Sequence, residues 1–457
     1  MDGTQPAKGQ SATPDISGPI AQFAVETHGA AIPASARHIA KLSLLDWCAV
    51  ALAGRDEPVS RAVRALVGEE AGKPDATVIG ATARLPARAA ALANGASSHA
   101  LDYDDTHFDY VGHPSVAIIP AALAIAEQRG ATGSAFLEAA LIGLESTCRI
   151  GAWLGTAHYN HGFHQTATSG SFGAAVAAAR LLGLDEVRTR HALGIAATRA
   201  SGLKSQFGTM GKPYHAGMAA ANGVEAATLA SHGFISRPDG IECEQGFAAT
   251  HAAEGGDLGR ILAGLGETYR FEHVQYKFHA CCHGTHAALE ALRGLREKTG
   301  LKLDDVDSVT LGVNPRWLKV CNIERPATGL EAKFSYRLTT AMALAGMETG
   351  ALSVFDAATC RDPALVRVRD RVSVTADAVH ADTAATVTVR TRQGNTLAAS
   401  YDLETPMAVD VKERKLREKA AALVGADHAK RLWAVVSDIE SRTLGELATL
   451  LQPERHA

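Results

Sequence analysis

The sequence predicts a mainly α fold: a large, discontinuous all-helical domain with a smaller α+β domain inserted into it. Three observations carry this. Over residues 17–269, apolar positions recur at helical spacing, in runs so rich in Ala that they are apolar on nearly every side. That pattern marks helices buried among other helices. Near residue 270 the texture changes to short alternating segments of strand type. After Pro406 the helical spacing returns. The expected layout is a disordered tail over 1–16, a helical domain made of 17–269 and 406–457, and an α+β domain over 270–405. A chain of 457 residues fits two or three domains. An aromatic content of 5% favours closely packed helices over an aromatic-rich sandwich.

The elements follow in order. Met1 to Pro19 is polar and rich in Gly, Pro, Ser and Thr, with no apolar core of a signal peptide. Ser35 to Ala53 sets Ile39, Leu42, Leu45 and Val50 near helical spacing, with Gly54 as a stop. Pro86 to His99 reads as a helix, since Pro is tolerated in a first turn. Pro114 to Arg129, Ser134 to Gly155 and Gly170 to Leu182 read likewise. Asp307 to Val313 and Arg371 to Thr375 alternate as strands. Thr386 to Arg390 and Leu397 to Asp402 flank Gln393-Gly394-Asn395, a hairpin signal. Ala280 to Leu295, Thr339 to Gly346, Lys412 to Val424 and Ser437 to Leu451 read as helices.

Composition narrows the function. The formal charge is −4, which leaves no basic footprint for nucleic acid. The longest apolar run, Pro114 to Ala126, falls short of the ~20 residues that cross a bilayer. A soluble, cytoplasmic protein with no membrane partner is expected. The seven cysteines form no CxxC pair, which fits reduced thiols.

Five clusters carry chemistry. HALDYDDTHFDYVGHPS (99–115) holds three histidines and four aspartates between two apolar helices. Asp102, Thr106 and His113 are the types needed for a carboxylate–histidine base with a hydroxyl donor; a solvated acidic loop is the alternative. In HYNHGFHQTAT (158–168), His164 precedes a small-residue helix start, where free N–H groups favour anions. KSQFGTMGKPYHAG (204–217) places Lys212 on a Gly-rich turn with His215 close behind. It fails as a P-loop, because Pro213 stands where Ser or Thr would hold Mg²⁺. HVQYKFHACCHGTH (273–286) puts Lys277, Cys281, Cys282, His283 and His286 at the domain boundary. His279, His283 and His286 have helical spacing, but no zinc signature accompanies them, so no metal is expected. EAKFSYRLT (331–339) adds Lys333, Tyr336 and Arg337, a helix-surface set or an anion contact. There is no GxGxxG after a strand and no GxSxG elbow, so the expectation is acid–base chemistry without a cofactor.

Taken together, LDYDDT, GHPS, HGFHQTAT, GTMGKPYHAG, YKFHACCHGTH and EAKFS resemble, in order, the motifs of the MmgE/PrpD family over about residues 20–450. The resemblance implies a helical domain with an α+β lid, assembled as a homodimer. It implies proton movement next to a carboxylate of a small di- or tricarboxylate. Asp102, Thr106 and His113 match the family's acidic-loop residues, His164 its next histidine, and Lys212 its KP lysine. Lys277 matches the lysine that opens the lid segment. Cys282 stands where some relatives have histidine. Many relatives read AKFSLPY where this chain has AKFSYRL, so Leu338 takes the aromatic position, with Tyr336 and Arg337 alongside.

The expected catalytic set is therefore Asp102, His113, His164, Lys212 and Lys277. Thr106, His215, Cys282, Tyr336 and Arg337 are expected to bind substrate. The lysines clamp carboxylates and offset enediolate charge, His113 and His164 exchange protons, and Asp102 orients one imidazole. A hydratase/dehydratase-type lyase is the first expectation. Epimerisation of a dicarboxylate or decarboxylation of a cis-aconitate type are alternatives, as is a non-catalytic polycarboxylate-binding protein.

Overall fold

The computed structural model describes residues 15–252 and 255–453. Most of the predicted tail, 1–14, lies outside the described residues. Its last residue does not behave as tail: Ile16 is fully buried, and Asp15 accepts a hydrogen bond from the Gly18 N–H at 2.8 Å.

The helical prediction holds in outline, with helices at Ala34–Gly54, Ala87–His99, Ser115–Arg129 and Gln165–Leu181. Pro86 and Pro114 stand just before their helices. The run Ser134 to Gly155 extends further than predicted, as Gly133–His161. Gly155, at φ 65°, kinks it instead of ending it. Gly211–Ser231 is a helix that the Gly-rich texture of its start concealed, so Lys212 lies in a first turn rather than in a loop.

Close backbone contact explains why these helices are rich in Gly and Ala. A Cβ on Gly95 would sit 2.8 Å from the Gly217 Cα, and one on Gly217 would sit 2.3 Å from the Leu92 carbonyl. Helices 87–99 and 211–231 therefore pack backbone to backbone, which brings the end of one near the start of the other.

Beside a two-residue antiparallel pair at 76–77 and 84–85, the predicted strands form a four-stranded sheet in the order 372–376, 306–313, 384–391, 396–402. The first pair is parallel and the others antiparallel. Gly394, at φ 88°, makes the predicted hairpin turn, and the Thr391 N–H closes it on the Asn395 carbonyl at 2.8 Å. A second apolar core lies on this sheet and includes Val309, Leu311, Val387, Val389, Leu289 and Leu292.

Two predicted helices differ. Residues 280–285 form an irregular segment and one 3-10 turn, and the α-helix begins at His286. Residues 437–451 split into a 3-10 turn and the helix Leu444–Leu451. Helix Val409–Val424 packs back on the first part of the chain: Leu416 and Ala420 join the main core, and Lys419 reaches Asp46 at 2.6 Å.

Candidate active site

The acidic loop leaves helix 87–99 and folds over its end. Asp102 takes φ 49°, in the left-handed region that costs a non-glycine residue of order 1 kcal/mol. Such strain persists only where surrounding contacts fix it. Here two ammonium groups do so: Lys212 Nζ lies 2.7 Å from Oδ2, and Lys277 Nζ lies 2.9 Å from Oδ1 and 2.6 Å from the Asp102 carbonyl.

Lys277 arrives through a short antiparallel bridge. The Thr106 N–H donates to the Gln275 carbonyl and the Gln275 N–H to the Thr106 carbonyl, both at 2.7 Å. That bridge fixes the connecting segment against the loop two residues before Lys277. The same register lets Thr106 Oγ1 share a hydrogen bond with His283 Nδ1 at 3.1 Å, while the His283 ring stacks on Phe108.

Histidines fill the space beside the lysines. His113 is held by its N–H on Thr166 Oγ1 at 3.1 Å. Its Nε2 lies 3.7 Å from Asp102 Oδ1, and its Nδ1 lies 2.8 Å from Asp104 Oδ2. His164, at the cap of helix Gln165–Leu181, shares a hydrogen bond with His215 through Nδ1 of each ring at 3.2 Å. His99 packs its ring against both His113 and His164, 4.6 and 5.8 Å between centroids.

The electrostatics follow from these contacts. Enclosure by protein favours the neutral form of Asp102, but Lys212, Lys277 and the histidines outweigh it and hold the carboxyl well below its usual range. Burial works against the Lys277 charge, yet Asp102 and Asp104 more than offset it and raise its pKa. Burial pulls His113 and His215 each down to about 4, and pushes His164 and His283 well below the usual imidazole range. At neutral pH the shifted imidazoles are uncharged and free to accept protons. The Asp102 side chain is 41% exposed against 3% for Lys277, so the clamp opens toward solvent at the carboxylate.

The structure thus brings together Asp102, Thr106, His113, His164, Lys212, His215 and Lys277. Cys282 is half-buried; its N–H donates to the Lys333 carbonyl, and a hydrogen bond with the Cys321 thiol is the main influence lowering its own pKa. Tyr336 and Arg337 are engaged elsewhere. Tyr336 is 1% exposed, with its hydroxyl donating to the Gly284 carbonyl at 2.7 Å. Arg337 donates to Asn322 and Glu324. The helix Tyr336–Leu344 starts at Tyr336 and turns that ring into the second core.

Sequence reasoning did not single out His99 or Asp104, and it named His283 only within the boundary cluster, not in the expected catalytic or binding set. Nothing in HALDYDD tells which aspartate meets which imidazole.

His99, Asp102, Asp104 and His113 offer donor atoms within 4.8 Å of one another. As a metal site they fit poorly, since both Asp102 oxygens already hold ammonium groups that a cation would have to displace. His279, predicted at helical spacing with His283 and His286, lies before the helix and pairs with Glu290 and Thr349. All seven cysteines are free. No helix among the described residues is long and apolar enough to cross a membrane.

Comparison with known proteins agrees with the motif order. The MmgE/PrpD N-terminal domain matches residues 18–256, and the MmgE/PrpD C-terminal domain matches 279–441. Cis-aconitate decarboxylase of Aspergillus terreus is 34% identical over 282 residues, 58% of this chain and 57% of that protein. Human cis-aconitate decarboxylase is 30% identical over 274 residues, 58% and 56% of the two chains. The cis-aconitate decarboxylase-like protein oryM of Aspergillus oryzae is 30% identical over 299 residues, 62% of each. The chain thus spans between half and two thirds of the length of these relatives.

Proposed function

The chain belongs to the MmgE/PrpD family, and on that premise we propose that it is a lyase that moves a proton next to a carboxylate of a small di- or tricarboxylate. The observation that carries this reading is the two-lysine clamp on Asp102, flanked by neutral histidines. A carbon acid of this kind is too weak for a base alone. The electron pair must be stabilised as it forms, and Lys212 and Lys277 supply that charge in a partly dry site. A substrate carboxylate takes its place beside the ammonium groups, and His113 or His164 exchanges the proton.

The sequence ranks dehydration first. The matched relatives bear the decarboxylase name, so loss of CO₂ from an unsaturated tricarboxylate becomes the leading form. In it, the electron pair left by the departing CO₂ is stabilised by the clamp and takes a proton that His113 or His164 relays from solvent. Epimerisation is the second reading, favoured by two imidazole groups beside the clamp, His113 from the acidic loop and the His164–His215 pair from a helix cap and a helix. Cys282 and Leu338 depart from the family pattern and bear on substrate choice. A homodimer and a cytoplasmic location complete the proposal.

Proton NMR in D₂O with citrate, methylcitrate, aconitate, malate, tartrate and iminodisuccinate tests it. Deuterium next to a carboxylate, or loss of CO₂, is expected, with the product naming the branch. Saturable binding without exchange or product across the panel overturns the lyase reading in favour of a binding protein.

A further inference from the structure

We propose that Asp104 and His99, both sealed from solvent, are positioning residues that hold His113 with its proton on Nδ1, and so make His113 Nε2 the atom that exchanges the proton with substrate, taking it in dehydration or epimerisation and delivering it after loss of CO₂. The inference rests on the lyase reading above and assigns a role that reading leaves open.

Asp104 is 1% exposed and faces two imidazoles. Its oxygens lie 2.9 and 3.0 Å from His99 Nδ1, and Oδ2 lies 2.8 Å from His113 Nδ1. Enclosure alone would neutralise this acid, but the two histidines hold it well below the usual carboxylate range. An ionised carboxylate only accepts. Each Nδ1 facing it therefore carries the proton, and in His113, which burial keeps uncharged at neutral pH, Nε2 is left with the lone pair. The His99 bond is well directed, whereas the His113 contact is short but bent away from a straight hydrogen bond. Catalytic contacts of this kind straighten when substrate arrives.

The far ends of the two rings differ. His113 Nε2 points to the clamp, 3.7 Å from Asp102 Oδ1. His99 Nε2 is buried with no hydrogen-bond partner, an orphaned polar atom that stability alone would not favour. Its ring wedges between His113 and His164. His99 thus steadies Asp104 and backs His113 without reaching substrate. The His164–His215 pair has no such carboxylate. Its two Nδ1 atoms share one proton, so its tautomer is not fixed in the same way.

Around His113 stand Asp102 and Asp104 on its own loop, His99 and His164 from helix ends, Lys212 from the start of helix Gly211–Ser231, and Lys277 and His283 from the connecting segment. Asp104 raises the His113 pKa and His99 lowers it. Their removal should move the acid limb of kcat/KM in opposite directions.

The test begins with ¹⁵N spectra of histidine-labelled wild-type protein, whose ring shifts report the tautomer directly. His99 and His113 should both carry the proton on Nδ1; a proton on His113 Nε2 overturns the proposal. In D104N, which keeps shape but donates where the carboxylate accepted, kcat should fall by about 100-fold or more. KM and affinity for the unreactive propane-1,2,3-tricarboxylate should stay within about threefold, and the acid limb should move to lower pH. H99N should lose about 3- to 30-fold, with a small shift the other way. An unmoved limb in D104N would reduce Asp104 to a structural role. If D104N does not fold, the wild-type ring shifts decide alone. A wild type inert toward every polycarboxylate removes the lyase reading, while the tautomer assignment stands or falls on its own spectra.

Discussion

Two lysine-paired aspartates, Asp46 and Asp102, solve the same problem in opposite ways. Asp46 lies in helix Ala34–Gly54 and has one cation, Lys419 at 2.6 Å, with both side chains 2% exposed. Lys419 also donates to the Tyr103 carbonyl at 2.6 Å and lies 4.1 Å from the centre of that ring. Burial wins there: it raises Asp46 to about 6 despite Lys419, and lowers Lys419 despite Asp46. Asp102 has two cations, and its carboxyl is held down instead. The sealed one-to-one pair ties the returning helix 409–424 to the main core and to the acidic loop. The open two-to-one cluster keeps charge in reserve for an anion. Stoichiometry and openness, more than burial, separate an ion pair that holds the fold from one arranged for chemistry.

The largest effect that would sharpen this contrast lies at the clamp. Lys212→Met and Lys277→Met should each lower turnover by about 10³-fold or more, in line with removal of a main charge-stabilising group. Thermal unfolding should change less for Lys212→Met than for loss of Lys419, because Asp102 keeps Lys277 as a partner. Wild-type turnover in either variant would remove the lysines from the chemistry.

Lys419→Met should do the reverse. Leaving Asp46 without its cation should cost about 3–5 kcal/mol in denaturant unfolding, with turnover per folded molecule kept within about threefold. Adding Asp46→Leu should restore part of the stability. A Lys419→Met protein as stable as wild type would mean that the pair holds nothing.

A smaller effect is the pH dependence of the sealed pair. The folded Asp46 pKa lies above its ordinary value of 3.8, at about 6. The folded state therefore binds more protons between those values, and stability falls as pH rises through that window. The shift of about two units corresponds to at most about 3 kcal/mol. Asp46→Asn cannot titrate, so the wild-type advantage over it should shrink from pH 4 to pH 6. A constant difference across that range would contradict the assigned shift.

The smallest expected change is at the bridge over the site. Thr106→Val removes the hydroxyl on His283 but keeps the backbone pairing with Gln275. A roughly tenfold loss in kcat/KM is expected, about the worth of one hydrogen bond of 1–1.5 kcal/mol.

Much of the fold was legible because helical periodicity and strand alternation are local. Ser35 to Ala53 and Thr386 to Arg390 fell within about two residues of their elements at each end. The errors came where texture misled. Glycines in GTMGKPYHAG read as a turn, yet they serve close helix packing and Lys212 begins a helix. Residues 280–285 kept helical spacing but are held irregular by contacts outside the segment: the Ala280 N–H on the Thr349 carbonyl and the Cys282 N–H on the Lys333 carbonyl. Tyr336 and Arg337 had the right chemistry for a site, but the helix phase buried one, and Asn322 and Glu324 took the other.

The sequence by itself determined the menu: helices that can approach closely because Ala and Gly line them, an inserted sheet, and acids, lysines and histidines grouped in short motifs. Only the tertiary structure decided the pairings. Asp102 and Asp104 are two residues apart in one loop, yet one receives two lysines from distant segments and the other two imidazoles. Charge acts through space. The partners depend on the left-handed turn at Asp102, on the Thr106–Gln275 register, and on a glycine contact between two helices. None of these can be read from residue types alone.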